Sequence, residues 1–269
     1  MMAKRSKNPF VRTYQSIKDI YANRVILLAL IRRNTAGRYK STYIGFGWHL
    51  LMPVLMIIVL HIVFDSIRAR PLEDFWIYLS AGMFPITFIS SCLRGRAIQA
   101  NARYITKMKF PREIVVLASA ITEFISVVFA YVVIIMVILL SGQHVNWYGM
   151  FMIPVQLALM FIFGYGCSLL VSTVTVFVKD VGYILSVAMR LVFWLTPTFF
   201  LISEATGVLE KIVWYNPFTY FVETFHQVLY YGTLPEWWML GVCAILAAVF
   251  YLLGEAVFNR YQSKLPEVL

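Results

Sequence analysis

Residues 114–140 read IVVLASAITEFISVVFAYVVIIMVILL, an apolar run interrupted by a single charged side chain, Glu123. A hydrocarbon core of about 30 Å needs about 20 apolar residues of helix. Only helices and closed barrels satisfy every backbone polar group in lipid. The run has no ten-residue alternation of the kind a barrel strand carries, so it predicts a membrane-spanning helix.

Five more segments, at approximately 43–64, 75–93, 150–178, 182–203 and 237–258, are long and apolar enough by the same test. The chain as a whole is 61% hydrophobic and 13% charged, with mean hydropathy +0.76. An ordinary soluble domain is nearer one quarter charged, so one polytopic membrane domain over 1–269 is expected. The net charge of +10 does not indicate nucleic acid, because the basic residues sit in short stretches between apolar runs. Placing the N-terminus, 94–112, 179–180 and the C-terminus on one side leaves only Arg68, Arg70, Arg190 and Lys211 elsewhere among the 23 Lys and Arg. Lys and Arg mark the cytoplasmic side, so both termini are predicted inside the plasma membrane. Cys92, Cys167 and Cys243 are widely spaced within apolar runs and read as buried thiols.

Three segments do not fit as plain spans or loops. At residues 14–33, Tyr14, Ile17, Tyr21, Val25, Leu28 and Ile31 recur every three or four positions, predicting an amphipathic helix lying in the membrane interface. At 94–113, the stretch RGRAIQANARYITKMKFPRE carries Arg94, Arg96, Arg103, Lys107, Lys109 and Arg112. Ala97–Met108 lacks Gly and Pro and predicts a short helix ended by Phe110-Pro111. Apolar Ile105, Met108 and Phe110 on the cytoplasmic side suggest that a soluble partner grips it. At 204–238, Asn216-Pro217 divides two predicted short helices, Leu209–Tyr215 and Phe218–Tyr231. Too broken for a span and too aromatic for a loop, this part is expected as a re-entrant hairpin at 205–233 or as an outer aromatic belt.

Arg190 lies within the fifth apolar run, with Tyr183, Val187, Trp194 and Pro197 on its helical face. An intramembrane arginine faces a bundle interior or an aqueous path. It could hold phosphate beside sugar-stacking rings, or pair with Glu123. His49 and His61 have no second ligand at helical spacing and read as packing or polar contacts. The chain contains no Gly-x-x-x-x-Gly-Lys-Ser/Thr, so ATP hydrolysis is not expected in it. Its carboxylates are scattered, which argues against an integral-membrane glycolipid transferase.

Four stretches occur in order: GRYKSTYIGFGWHLLMPVLMIIVLHIVF at 37–64, KFPRE at 109–113, STVTVFVKD at 172–180 and WYNPFTYFVETF at 214–225. Together they resemble the ABC-2 type permeases of polysaccharide exporters over nearly the whole chain. The resemblance implies an all-α fold of six transmembrane helices, an N-terminal interfacial segment over 1–42, and a homodimer bound to two copies of an ABC ATPase that carries the ATP and Mg. It implies export of a lipid-linked polysaccharide of the O-antigen, capsule or wall teichoic acid class; RYQSKLPEVL at 260–269 and LLVSTVTVFVKD at 169–180 lean toward teichoic acid. A permease for drugs or small lipids shares this fold. The resemblance further implies that Arg103, Tyr104, Lys107, Phe110, Pro111 and Arg112 couple to the ATPase. Lipid-linked polymers carry diphosphate at the membrane surface, so Arg33, Arg38 and Lys40 are expected at the headgroup entrance. Trp48, Tyr183, Arg190 and Trp194 are expected along the translocation path, and Trp214, Tyr215, Asn216 and Pro217 in an outer lid.

Overall fold

Apolar sequences of this length satisfy their own backbone by coiling, and every regular element among the described residues is helical. The computed structural model describes residues 9–37, 47–67, 73–107, 110–140 and 146–269. In chain order the helices are α1 Pro9–Ala22, α2 Arg24–Gly37, α3 Trp48–Ile67, α4 Phe75–Leu93, α5 Ala102–Lys107, α6 Glu113–Leu140, α7 Trp147–Met150, α8 Ile153–Phe177, α9 Lys179–Leu195, α10 Val208–Tyr215, α11 Pro217–Leu229, α12 Trp237–Tyr261 and α13 Leu265–Val268.

Among the described residues, four stretches are long and apolar enough to cross a membrane: Phe75–Leu93, Glu113–Leu140, Trp147–Phe177 and Trp237–Tyr261. The other two predicted spans differ. In α3 the apolar stretch among the described residues is Val54–Phe64, and positions 43–46 lie outside the described residues. The fifth span, expected to reach residue 203, stops at Leu195. Thr196 takes extended backbone there, and Pro197 has no N–H to continue the helix.

The freed backbone groups beyond Leu195 are taken up by the bundle. The Tyr78 hydroxyl donates to the carbonyls of Phe200 (2.7 Å) and Pro197 (3.0 Å). A second interruption is handled in the same way. Pro85 sits inside α4 and leaves the carbonyl four residues back, at Ala81, without its helical donor. The buried Tyr131 hydroxyl of α6 donates to that oxygen at 2.9 Å. Lipid could do neither job.

Helices α8 and α12 pack most closely. A Cβ on Gly166 would lie 2.5 Å from the Tyr251 nitrogen, and one on Gly254 would strike the Gly166 carbonyl. Small residues permit this approach, which in a membrane replaces the hydrophobic drive between helices.

Two predicted short helices flank Asn216-Pro217 as expected, at α10 and α11. Asn216 caps α11: its Oδ1 accepts from the Phe218 amide at 3.0 Å, and its Nδ2 donates to the Thr196 hydroxyl at 2.8 Å. Pro217 occupies the first turn, where no N–H is needed. Helix α11 is then buried through most of its length, with Phe221, Val222 and Phe225 inside the main core. The Phe225 ring stacks on Tyr131 at 4.8 Å. Asn216 and Pro217, expected in an outer lid, therefore serve as the cap and start of a core helix.

Candidate functional site: a basic cavity beside the segment after α4

Polar and charged side chains collect where α4 ends. The turn Arg94-Gly95-Arg96 reverses the chain there, with Gly95 at φ +65, a left-handed conformation that suits glycine. The turn is pinned to α8: the Thr175 hydroxyl donates to the Gly95 carbonyl at 2.7 Å, and the Gln99 amide donates to the Thr175 carbonyl at 2.8 Å. Adding a Cβ at Gly95 would bring it within 2.7 Å of Val171.

A cavity of about 560 Å³ opens beside this turn. Arg94 and Arg96 line one part, Arg33 and Asn34 of α2 another, and Ser91, Asn101, Thr122, Glu123 and Ser168 complete the polar wall. Among the described lining residues, three guanidinium groups against one carboxylate favour an anion, and guanidinium forks suit phosphate oxygens. At the other end of α4, a second cavity of about 470 Å³ is lined by Glu73, Asp74, Tyr230 and Tyr231, with no basic side chain in its described lining.

Arg33 is held in position from both sides. Its Nη2 donates to the Asn34 Oδ1 at 2.7 Å and to the Asn101 Oδ1, and its guanidinium lies 4.7 Å from the centre of the Tyr104 ring. The structure thus joins two groups of residues predicted separately, the headgroup entrance and the ATPase-coupling segment. Arg38 and Lys40, expected beside Arg33, lie outside the described residues. Arg94, Arg96 and Asn101 were missed as cavity residues; the Arg-Gly-Arg spacing, with two cations across a turn former, is the signal that could have found them.

The segment after the cavity divides by polarity. Arg103, Tyr104 and Lys107 are exposed on α5, while Ile98, Ile105 and Phe110 are buried with Leu30, Ile114, Phe258 and Leu265. Phe110 is only 4% exposed, so the expectation that its ring faces a soluble partner is corrected. An apolar ring with its own core within reach gains about 2 kcal/mol by entering it. Ile105 is corrected for the same reason, and Met108 and Lys109 lie outside the described residues. Arg112 and Pro111 are half-buried. Arg112 donates to the Gln262 carbonyl, and burial lowers its guanidinium pKa below the ordinary value.

The N-terminal helices close this end. The predicted single helix over 14–33 is two, broken at Asn23, whose side chain donates to the Asp19 carbonyl at 2.8 Å. Ile17, Tyr21, Val25 and Leu28 of the predicted stripe are exposed. The other side packs inward: Leu30 is buried, and Ile20 and Leu27 rest on the same core. Ser16 donates to Glu113 at 2.7 Å and Thr13 to Glu255 at 2.8 Å.

The expected path residues do not gather at one place. Tyr183, Arg190 and Trp194 share the exposed face of α9, with Ile184 and Leu191 beside them. Trp48 is half-buried at the start of α3, which packs on α4 and α6, whereas α9 packs on α4, α8 and α10. Glu123, offered as a partner for Arg190, lines the basic cavity. Trp214 and Tyr215 are exposed at the end of α10. The three cysteines are buried free thiols.

Comparison with known proteins places these features in context. Residues 26–230 match the family described as ABC-2 type transporter. An O-antigen export system permease protein RfbA of Klebsiella pneumoniae is 23% identical over 246 residues, covering 91% of this chain and 95% of the relative. The protein of the same name from Myxococcus xanthus is 21% identical over 255 residues, covering 93% and 98%. The polysialic acid transport protein KpsM of Escherichia coli is 21% identical over 241 residues, covering 88% and 93%.

Proposed function

The chain belongs to the ABC-2 type transporter family, and from that premise we propose that it is the membrane permease subunit of an ATP-driven exporter of a lipid-linked cell-surface polysaccharide. The observation that carries this reading is the similarity, over about nine-tenths of the chain, to permeases named for O-antigen export and polysialic acid transport. Those names favour an O-antigen or capsule polymer over the teichoic acid class.

The working unit is a homodimer with two ATPase subunits that bind ATP and Mg. Six helices cross the plasma membrane, α3 and α9 joining the four longest, with both termini in the cytoplasm. Helices α10 and α11 form the re-entrant hairpin; the depth at which α11 is buried supports this. The cavity formed by Arg33, Arg94 and Arg96 receives the phosphate-bearing end of the lipid carrier. A prenyl diphosphate is an amphipath at the cytoplasmic surface, so its anion needs fixed cations there while its tail stays in lipid. The exposed apolar stripe of α1 and α2 supplies a surface in that interface. The exposed face of α9, with Arg190 between aromatic rings, lines the route at the dimer axis.

Depletion tests the reading directly. Cells depleted of this protein should accumulate finished lipid-linked polysaccharide on the cytoplasmic side. Accumulation of an unfinished glycolipid would point to a transferase, and unchanged glycolipids to a carrier of small molecules.

A further inference from the structure

The basic cavity and the exposed helix α5 share one guanidinium. Arg33 lines the cavity, yet in this structure it donates to Asn101 and lies over the ring of Tyr104. Arg94 and Arg96 are exposed side chains on a turn whose backbone is held to α8 through Thr175. Arg33 is the cavity guanidinium that the structure joins to the α5 segment.

We propose that Arg33 is a positioning residue that signals arrival of a phosphate-bearing ligand to α5, by leaving Asn101 and Tyr104 for the phosphate. This rests on the reading of the cavity as the headgroup site. Asn101 offers Arg33 a neutral amide oxygen. A phosphate oxygen offers a charged acceptor, and charge-assisted hydrogen bonds are about twice as strong as neutral ones. Ion pairing also weakens the hold of the Tyr104 ring, because the ring attracts the net positive charge of the guanidinium.

The consequence for α5 follows from burial. Asn101 is 3% exposed, and its Nδ2 is already committed to the Ala97 carbonyl at 2.8 Å. Once Arg33 leaves, its Oδ1 must find another donor, because an unpaired buried polar atom is costly. Asn101 is the last residue of the 3-10 turn Gln99–Asn101, and α5 begins at the next position. Rearrangement at Asn101 therefore moves the start of the helix that exposes Arg103, Tyr104 and Lys107. Phosphate in the cavity thereby loosens the face offered to the ATPase.

The test uses the complete permease–ATPase complex in nanodiscs, with the ATPase subunit alone as background. Farnesyl diphosphate and inorganic diphosphate are the probes; binding and stimulation of ATP hydrolysis are measured separately. If the Tyr104 ring competes with ligand for Arg33, Tyr104→Leu should tighten farnesyl diphosphate binding about two- to fivefold while lowering stimulation about tenfold. Tyr104→Phe, which keeps the ring, should behave as the native protein. A parallel loss of binding and stimulation in Tyr104→Leu, no change in either, or failure of Tyr104→Phe to rescue would overturn the proposal. Arg94→Gln reports on the cavity itself: if the native complex and Arg94→Gln bind farnesyl diphosphate equally, or neither binds it, the headgroup reading fails and the signal falls with it. A stronger response to farnesyl than to inorganic diphosphate assigns the site to a lipid carrier. Equal responses assign it to free phosphate and leave the role of Arg33 standing.

Discussion

The segment from Arg94 to Glu113 and the helix α11 both carry polar groups against the bundle, and they dispose of them in opposite ways. The first splits by face: Ile98, Ile105 and Phe110 turn inward while Arg103, Tyr104 and Lys107 stay exposed. Helix α11 takes its polar groups inside and pairs them. His226 is fully buried and its ring stacks 3.7 Å from that of Tyr78. Its Nδ1 lies 3.1 Å from the Glu223 carboxylate and its Nε2 lies 3.1 Å from the Tyr78 carbonyl. A carbonyl only accepts, so Nε2 donates to Tyr78 and Nδ1 is left to pair with the Glu223 carboxyl group. Gln227 is satisfied by donating toward the Met239 sulfur and accepting from the Glu236 amide. The difference is one of reach. The segment after α4 can leave its cations exposed; the middle of α11 cannot, so each polar group needs a partner within the protein.

Five variants break or sharpen this contrast, from the largest expected effect to the smallest. Phe110→Asp would place a carboxylate in the apolar cluster around Ile105, Ile114 and Phe258, at a cost of about 4 kcal/mol. It should abolish monodisperse, folded protein in detergent; a folded Phe110→Asp protein would return Phe110 to the surface. Glu223→Leu removes one member of the buried pair and should cost about 3 kcal/mol, read by thermal unfolding. The double change Glu223→Leu, His226→Phe should cost less than the sum of the single changes. Strict additivity would show that the pair does not act as a unit.

Gly95→Ala forces a side chain into a left-handed turn, at about 1–2 kcal/mol, and pushes on Val171 and Thr175. It should weaken diphosphate binding by disturbing Arg94 and Arg96 while most of the fold survives. Undiminished binding would remove the turn from the site. The smallest effect on stability belongs to Arg103→Glu with Lys107→Glu. Both residues are exposed, so unfolding should shift by less than about 0.5 kcal/mol. Recovery of the ATPase with the permease should nevertheless fall, and the defect should depend on salt. Full recovery at low salt would place the ATPase contact elsewhere.

Length, apolarity and the placing of proline determined the all-helical membrane class, the four longest candidate spans and the break at Asn216-Pro217, because each depends on local properties: backbone satisfaction in lipid, and the missing N–H of proline. The exposed stripe of Ile17, Tyr21, Val25 and Leu28 was legible for the same reason, since helical spacing is a local property. The end of α9 at Leu195 was written in Pro197 but masked by the apolar residues after it. What only the tertiary structure decided is which side of a mixed segment meets protein. Phe110 looked like a docking side chain because its sequence neighbours are basic, yet Ile114, Phe258 and Leu265 lie within reach in space. Arg33 and Tyr104 are far apart in the chain and meet only because α2 packs against α6 beside the turn that starts α5. Composition predicts that a residue will be buried or charged, but the partner that satisfies it is set by long-range packing, which no local pattern encodes.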